Sequence, residues 1–277
     1  MAAPFRIMGI LNVTPDSFSD GGEWFAEDAA VDHARAMVAE GAALIDVGGE
    51  STRPGAATVP EAEELRRVVP VIRRVAGLGA QVSVDTSKLA VAEAALHAGA
   101  TYVNDVTAFR HDPELAGLVA DRAADCCLMH MLGEPRTMQD DPRYEDVVDD
   151  VKAFLEERLT FAVGEGIKED RIHLDPGIGF GKTVEHNLDL LARLDELTSF
   201  GRPLVIGTSR KGFLGRLTGR ATPAERVEAT VATSVLGFER GAEIFRVHDV
   251  RPSRDALVVA AATLARRWPT TRTTRTS

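Results

Sequence analysis

The chain has 277 residues, 44% hydrophobic and 27% charged, with a formal net charge of −10 and two cysteines. A chain of this length fits one barrel-sized domain or two smaller ones, and it buries roughly 75% of its unfolded surface without a disulfide or metal staple. The acidic balance argues against nucleic-acid binding. No apolar run is long enough to span a bilayer, and no basic-then-apolar stretch opens the chain, so a soluble cytoplasmic protein with a small-molecule ligand is expected.

Strand-like apolar runs occur at Phe5 to Val13, Ala43 to Gly48, Gln81 to Asp85, Tyr102 to Val106, Asp125 to Met131, Arg171 to Asp175, Pro203 to Thr208 and Ile244 to Val250. They are near-continuously apolar, as parallel strands covered on both faces are. Helical patterns lie between them. Ala26 to Glu40 ends at Gly41, a C-cap candidate. Pro60 opens a helix rich in Glu and Arg that ends near Gly77 or Gly79. Lys88 to Ala98 precedes Gly99, Glu145 to Glu165 is the longest, Thr222-Pro223-Ala224-Glu225 starts another, and Ser253 to Arg267 is the last. The segments Arg110 to Leu118 and Leu132 to Tyr144 give no clear pattern. Adjacent Cys126 and Cys127 sit in a strand-like run and read as buried reduced thiols, with a vicinal disulfide as the alternative.

The strand–helix alternation runs through eight units, and most strands end in a polar, glycine-rich segment. These are Asn12 to Gly22, Gly48 to Gly55, Asp85 to Lys88, Asn104-Asp105, Asp175 to Lys182, Ser209 to Gly212 and Arg246 to Asp249. Polar residues at the carboxyl ends of successive strands predict an α/β fold, a (β/α)8 TIM barrel whose active site is built from those ends. A doubly wound open sheet is the competing architecture. One barrel domain is expected over residues 1–268. The Thr- and Arg-rich tail from Pro269 to Ser277 has nothing apolar to bury and is expected to be disordered.

Several motifs lead nowhere. Gly181-Lys182-Thr183 ends like a P-loop, but Pro176 stands where that loop needs glycine. Gly177, Gly179 and Gly181 lack dinucleotide spacing and suit a tight loop brought close to a ligand. There is no H-E-x-x-H or C-x-x-C, hence no zinc site. His33, His97, His173 and His186 read as surface or packing residues. Glu63-Glu64 with Arg66-Arg67 reads as a solvated helix face.

The strand ends offer three acids (Asp46, Asp85, Asp175), two amides (Asn12, Asn104) and a cationic set (Arg53, Lys211, Arg246, His248). Each has an ordinary reading alone: Asp85 or Asp175 as a helix cap, Arg53 in a surface ion pair, Asn104 in a turn. Together, acids and amides suit a flat heterocycle such as a pterin or guanine, because a carboxylate accepts two parallel N–H bonds from an amino-pyrimidinone edge. Cations on the last two strands suit a phosphate or pyrophosphate. Asn12 beside a phosphate suits Mg2+, which prefers oxygen ligands and keeps several waters.

At these residues the chain resembles the dihydropteroate synthases. Met8 to Phe18 looks like the first signature of that family and Gly48 to Gly55 like the second, followed by Asp175 to Lys182, Ser209 to Gly212 and Arg246 to Asp249. The resemblance spans about Ile7 to Val250. It implies a folate-pathway transferase, a sulfonamide target, that joins p-aminobenzoate to 6-hydroxymethyl-7,8-dihydropterin diphosphate and releases pyrophosphate. It implies a pterin pocket of Asp85, Asn104, Met129, Asp175, Phe180, Gly207 and Lys211. Asn12, Arg246, His248 and Arg53 would hold the pyrophosphate, with Mg2+ at Asn12. Phe18, Thr52, Pro54 and Ser209 would border the aminobenzoate. Asp85, Lys211, Arg246, Arg53 and Asp16 would carry the chemistry, with Arg53, Thr52, Asp16, Phe18 and Asp20 on loops that close over the site. A homodimer is implied as well. Two rivals remain: a methyltetrahydrofolate:corrinoid methyltransferase, which has no need of the cationic strand ends, and a non-catalytic relative that binds pterin.

Overall fold

The computed structural model describes residues 4–14, 23–51, 58–134 and 136–265, with 23–26 as backbone alone. The strands are β1 (Arg6–Asn12), β2 (Leu44–Gly48), β3 (Gln81–Asp85), β4 (Tyr102–Asp105), β5 (Asp125–Met129), β6 (Ile172–Asp175), β7 (Leu204–Ile206) and β8 (Ala242–Val247). All eight are parallel and close in sequence order into a barrel, β8 pairing with β1 through Arg6 to Ile244 and Met8 to Arg246. The closed ring removes the open-sheet alternative. Around it lie α1 (Glu23–Glu40), α2 (Glu61–Val75), α3 (Leu89–Ala98), α4 (Glu114–Asp121), α5 (Val147–Gly164), α6 (Val184–Ala192), α7 (Gly212–Thr218), α8 (Val227–Glu239) and α9 (Val250–Ala265). Among the described residues no helix is long and apolar enough to cross a membrane.

Strand alternation divides the core. Residues facing the helices, such as Ile7, Ile45, Val84, Val103, Leu174 and Phe245, form one large apolar cluster. The other face of each strand fills the barrel, where Met8, Leu44, Tyr102, Cys127, Val205 and Ile244 form a separate buried layer. His173 stacks on Tyr102 at 5.3 Å and accepts or donates to its hydroxyl at 2.9 Å. Successive side chains point to opposite faces, so the next inward residue on each strand lies two positions on. Those residues are Ile10, Asp46, Asn104, Met129, Gly207 and Arg246, with Asp85 two beyond buried Ser83 and Asp175 two beyond His173. An apolar plug therefore carries a polar layer at the carboxyl mouth.

Helix ends match local chemistry. Asp146 caps α5 by accepting from the N–H groups of Val148 and Asp149, and Thr183 with His186 forms a capping box on α6. Gly41 follows α1 with φ +104°, a left-handed turn where a Cβ is penalised. The unread stretch from Arg110 holds α4. β8 begins and ends earlier than expected, and α9 starts already at Val250, because the Asp249 carbonyl accepts from the Ser253 N–H and hydroxyl and turns the chain into helix. Glu63 does pair with Arg66 and Arg67 on an open face, but Glu64 does not belong there. It is 1% exposed and pairs with Lys88, whose ammonium also takes Glu50 and the Val59 carbonyl. Helix periodicity turns Glu64 inward beside Val68, which the charge run alone concealed. Both cysteines are buried free thiols, so the vicinal disulfide is not formed. His173 is a packing residue as expected, and burial, with Arg6 adding to it, pulls its pKa to about 4. The expected tail lies outside the described residues.

Candidate active site

The barrel mouth, a slot between the strand ends, is lined by acceptors. Asp85, Asn104 and Asp175 are 7%, 6% and 6% exposed. Each has one polar atom committed inside the protein: Asp85 Oδ2 accepts from Arg246 Nη2 at 2.7 Å, Asn104 Nδ2 donates to Asp46 Oδ2 at 3.0 Å, and Asp175 Oδ1 accepts from the Gly177 N–H at 2.7 Å. Among the described residues no buried side-chain N or O lacks a partner. The second oxygens, Asp85 Oδ1, Asn104 Oδ1 and Asp175 Oδ2, take no hydrogen bond there and are thus the ends that reach solvent. Met129 and Phe180 form a small apolar cluster with Val106, Met131 and Met138, apart from the main core, which gives the slot a soft wall. Met138 comes from the stretch the sequence left unread.

Glycines keep the slot open. A Cβ on Gly48 would lie within 4 Å of both Asp85 Oδ2 and Asn12 Oδ1, and one on Gly207 would sit 3.9 Å from Lys211 Nζ and from Arg246 Cβ. Neither glycine is forced by a positive φ or by backbone crowding, so each leaves space between functional side chains. Gly177 differs: its φ is +68° and an added Cβ would stand 1.8 Å from the His130 carbonyl oxygen. This close approach seats the Asp175 to Lys182 loop against the end of β5, as the glycine spacing suggested.

The cations are fixed from several sides. Arg246 Nε donates to Asp46 at 2.6 Å, and Arg246 is held protonated by Asp46 and Asp85 despite burial. Lys211 Nζ donates to the Ile178 carbonyl and lies 4.4 Å from the centre of the Phe180 ring. Burial of the Lys211 ammonium lowers its pKa to about 7; Asp175 opposes this and Arg246 adds to it. Burial also raises the Asp85 carboxyl well above the usual carboxylate range, against the pull of Arg246 and with a push from Asp46. Asp175 moves the same way through burial, opposed by Lys211. Ser209 Oγ lies 3.0 Å from His248 Nδ1 and accepts from the His248 backbone N–H, which ties the β7 and β8 loops together. Arg210 has φ +58° and makes a two-point ion pair with Asp249 across the same two loops.

The barrel thus gathers Asn12, Asp85, Asn104, Met129, Asp175, Phe180, Gly207, Ser209, Lys211, Arg246 and His248 at one mouth, though these residues span most of the chain. Asp16, Phe18, Asp20, Thr52, Arg53 and Pro54 lie outside the described residues. Three sets of contacts were not read from sequence. Asp46 is in the middle of β2 and fully buried, holding Ser83, Asn104 and Arg246. Lys182 is 3% exposed, bonded to His130 Nδ1 at 2.8 Å, and burial pushes its pKa far down. The Arg210–Asp249 pair is the third. Each partner lies 37 to 200 residues from the other, with no local pattern to signal it.

The donors fit a divalent cation in one way only. Among the described residues no group of three His, Cys, Asp or Glu side chains could hold a metal. The Asn12 amide oxygen at the end of β1 is a hard donor suited to Mg2+, but only if phosphate oxygens and water complete the coordination.

Comparison with known proteins agrees with this architecture. Residues 8–248 match the family model described as pterin binding enzyme. The chain is 48% identical over 268 residues to the dihydropteroate synthase of Mycobacterium leprae, covering 95% of this chain and 94% of that protein. It superposes on Xanthomonas albilineans dihydropteroate synthase with 4-aminobenzoic acid at a TM-score of 0.89, with 49% identity over 94% of this chain and 93% of that one. The same enzyme in complex with 7,8-dihydropteroate gives a TM-score of 0.85 at 46% identity, with 94% of each chain covered. The chain therefore belongs to the dihydropteroate synthase family of pterin-binding enzymes, transferases built on the (β/α)8 barrel.

Proposed function

We propose that this chain joins p-aminobenzoate to 6-hydroxymethyl-7,8-dihydropterin diphosphate at the carboxyl mouth of its barrel, with the residues gathered there in distinct roles. The observation that carries the reading is the row of three outward acceptor oxygens, Asp85 Oδ1, Asn104 Oδ1 and Asp175 Oδ2, beside the Lys211 and Arg246 cations. A pterin presents ring N–H and exocyclic NH2 donors along one edge, which complement such a row. Asp175 and Asn104 take that edge, Asp85 lies against the ring, and Lys211 covers it and reaches its carbonyl or ring nitrogen. Met129 and Phe180 pack its faces, over the gap that Gly207 leaves. Arg246 Nη1, His248, Asn12 and Arg53 take the diphosphate. Ser209, with Phe18, Thr52 and Pro54, borders the aminobenzoate. Mg2+ held at Asn12 together with the diphosphate oxygens would supply charge neutralisation on the leaving group.

The chemistry is a substitution at the pterin methylene carbon. The C–O bond to the diphosphate breaks and its electron pair leaves with pyrophosphate, whose growing charge the fixed cations stabilise. The cation left on the exocyclic carbon is spread into the pterin and faces Asp85. The aniline nitrogen of p-aminobenzoate donates its lone pair to form the C–N bond and then loses one proton to solvent. An aniline is already a neutral nucleophile, so no strong base is needed. Loops carrying Asp16, Phe18, Thr52 and Arg53 would exclude water, which otherwise captures the cation. A homodimer in the cytoplasm belongs to the same proposal and rests on the family resemblance alone.

The direct test is pyrophosphate release by the purified protein with Mg2+ and pterin diphosphate, with and without p-aminobenzoate. Release that depends on p-aminobenzoate, with 7,8-dihydropteroate as product, is expected. Tight binding of the pterin diphosphate without turnover would instead identify a non-catalytic relative. The pH profile gives a second check. In the free protein Lys211 loses its proton near pH 7. The kcat/KM for the pterin diphosphate is therefore expected to fall as pH rises through about 7, because that ratio reports free-enzyme ionisations. Lys211→Met should be weaker throughout and lack that limb. A limb that persists unchanged in the variant would assign it to another group.

A further inference from the structure

Asp46 is 0% exposed, so it touches no ligand, yet it holds two residues that reach the mouth. Its Oδ1 accepts from Ser83 Oγ at 2.5 Å; its Oδ2 accepts from Asn104 Nδ2 at 3.0 Å and from Arg246 Nε at 2.6 Å. A carboxylate oxygen that already receives a guanidinium has only acceptor capacity to offer. The Asn104 amide must therefore turn its NH2 toward Asp46. Turned the other way, it would set two buried oxygens against each other and leave the NH2 facing the pocket, at the expense of an unmade buried hydrogen bond. The orientation of an amide at a binding site decides whether the site asks its ligand for a donor or an acceptor. With Asp85 and Asp175 on either side, the outward Asn104 oxygen makes the polar end of the slot acceptor-only.

We infer that Asp46 is a positioning residue that sets ligand specificity. By fixing the Asn104 amide, it makes the site take heterocycles whose edge is lined with N–H donors, of the 2-amino-4-oxo type, and reject the same ring carrying a carbonyl in place of the 2-amino group. This rests on the reading of the mouth as a pterin site. It concerns how the preference is built, from a residue behind the pocket that contacts only protein.

The test compares the dissociation constants of 6-hydroxymethylpterin and its 2-oxo counterpart, 6-hydroxymethyllumazine, for the full chain. The unsubstituted protein is expected to prefer the pterin strongly, because a site whose polar groups would be left unpaired rejects the mismatched ligand. Asp46→Ala removes the acceptor that fixes the Asn104 amide, which can then settle either way. The pterin preference is then expected to drop by about 10- to 100-fold, since one fixed hydrogen bond to the ligand becomes optional. KM for p-aminobenzoate should not move. The double variant Asp46→Ala with Asn104→Asp leaves an oxygen outward whichever way residue 104 turns, so the preference should return. It also decides the matter if the single variant does not fold. Equal loss of affinity for both ligands in Asp46→Ala, or a folded double variant that does not regain the preference, would overturn the assignment of Asp46. If the unsubstituted protein binds neither ring, the pterin reading of the site itself fails, and this inference falls with it.

Discussion

Replacing Arg246 with methionine is expected to destabilise the protein by about 3–5 kcal/mol at neutral pH, the usual cost of leaving a buried ion pair with one partner missing. Arg246 stands between Asp46 and Asp85 at 2.6 and 2.7 Å, and those carboxylates are 0% and 7% exposed. Methionine fills the volume but leaves both without a cation. The sign of the pH dependence follows. The guanidinium opposes the effect of burial at Asp85, so without it the folded-state Asp85 pKa rises further above its unfolded value of about 3.9. A group so raised contributes stability that is present at low pH and lost as pH rises through its folded pKa. The deficit relative to the unsubstituted protein should therefore narrow as pH falls through about 7, as urea unfolding at about pH 8 and about pH 6 would show. A deficit below about 1 kcal/mol, or one independent of pH, would mean that Arg246 is not the neutralising centre of the barrel. Arg246→Lys should fall between the two, because a single ammonium cannot reproduce the fork that reaches two carboxylates at once. Turnover should be lost in the methionine variant even where it stays folded.

Asp85→Asn separates catalysis from stability. Asparagine keeps the shape and can still accept from Arg246, but it removes the negative charge proposed to face the developing cation. Burial already pushes the Asp85 carboxyl upward, so a neutral residue is no burden there, and the variant should be no less stable than the parent. Its kcat is expected to fall by about 10²- to 10³-fold, the range seen when one preorganised electrostatic group is removed. The KM for pterin diphosphate should change only a few-fold, because in the proposed binding mode Asn104 and Asp175 still hold the ring edge. Steady-state pyrophosphate release, with thermal unfolding alongside, reads both effects. A kcat within a few-fold of the parent would remove Asp85 from the cation-stabilising role and favour a reaction in which the amine displaces the diphosphate directly.

Much of this was readable before the structure. The near-continuous apolar runs ending in polar, glycine-rich segments announced parallel strands with a site at their carboxyl ends, and all eight strands overlap the expected ranges. The rejection of a P-loop at Gly181-Lys182-Thr183 is consistent with the buried, His130-bonded Lys182, which has no surface at which to meet phosphate. Glu64 was misjudged for an instructive reason. Four charges within five residues read as solvated, but the helix rotates Glu64 inward, where Lys88 from the next unit makes its burial tolerable. Asp46 was seen as one more strand-end acid, although it lies one step below Gly48, too deep to meet a ligand.

Strand alternation is a local property, so the chain alone determined which residues face the barrel interior and which of them end at the mouth. That is enough for the list Asp85, Asn104, Asp175 and Arg246; Lys211 follows β7 at the start of α7. What those residues are to one another was decided only by closure of the ring. Arg246 and Asp46 are 200 residues apart, and no periodicity links them. The outward turn of the Asn104 oxygen, the depressed Lys211 ammonium and the raised Asp85 carboxyl all follow from that closure. They are set by distance and by exclusion of water, and both come into being when β8 meets β1.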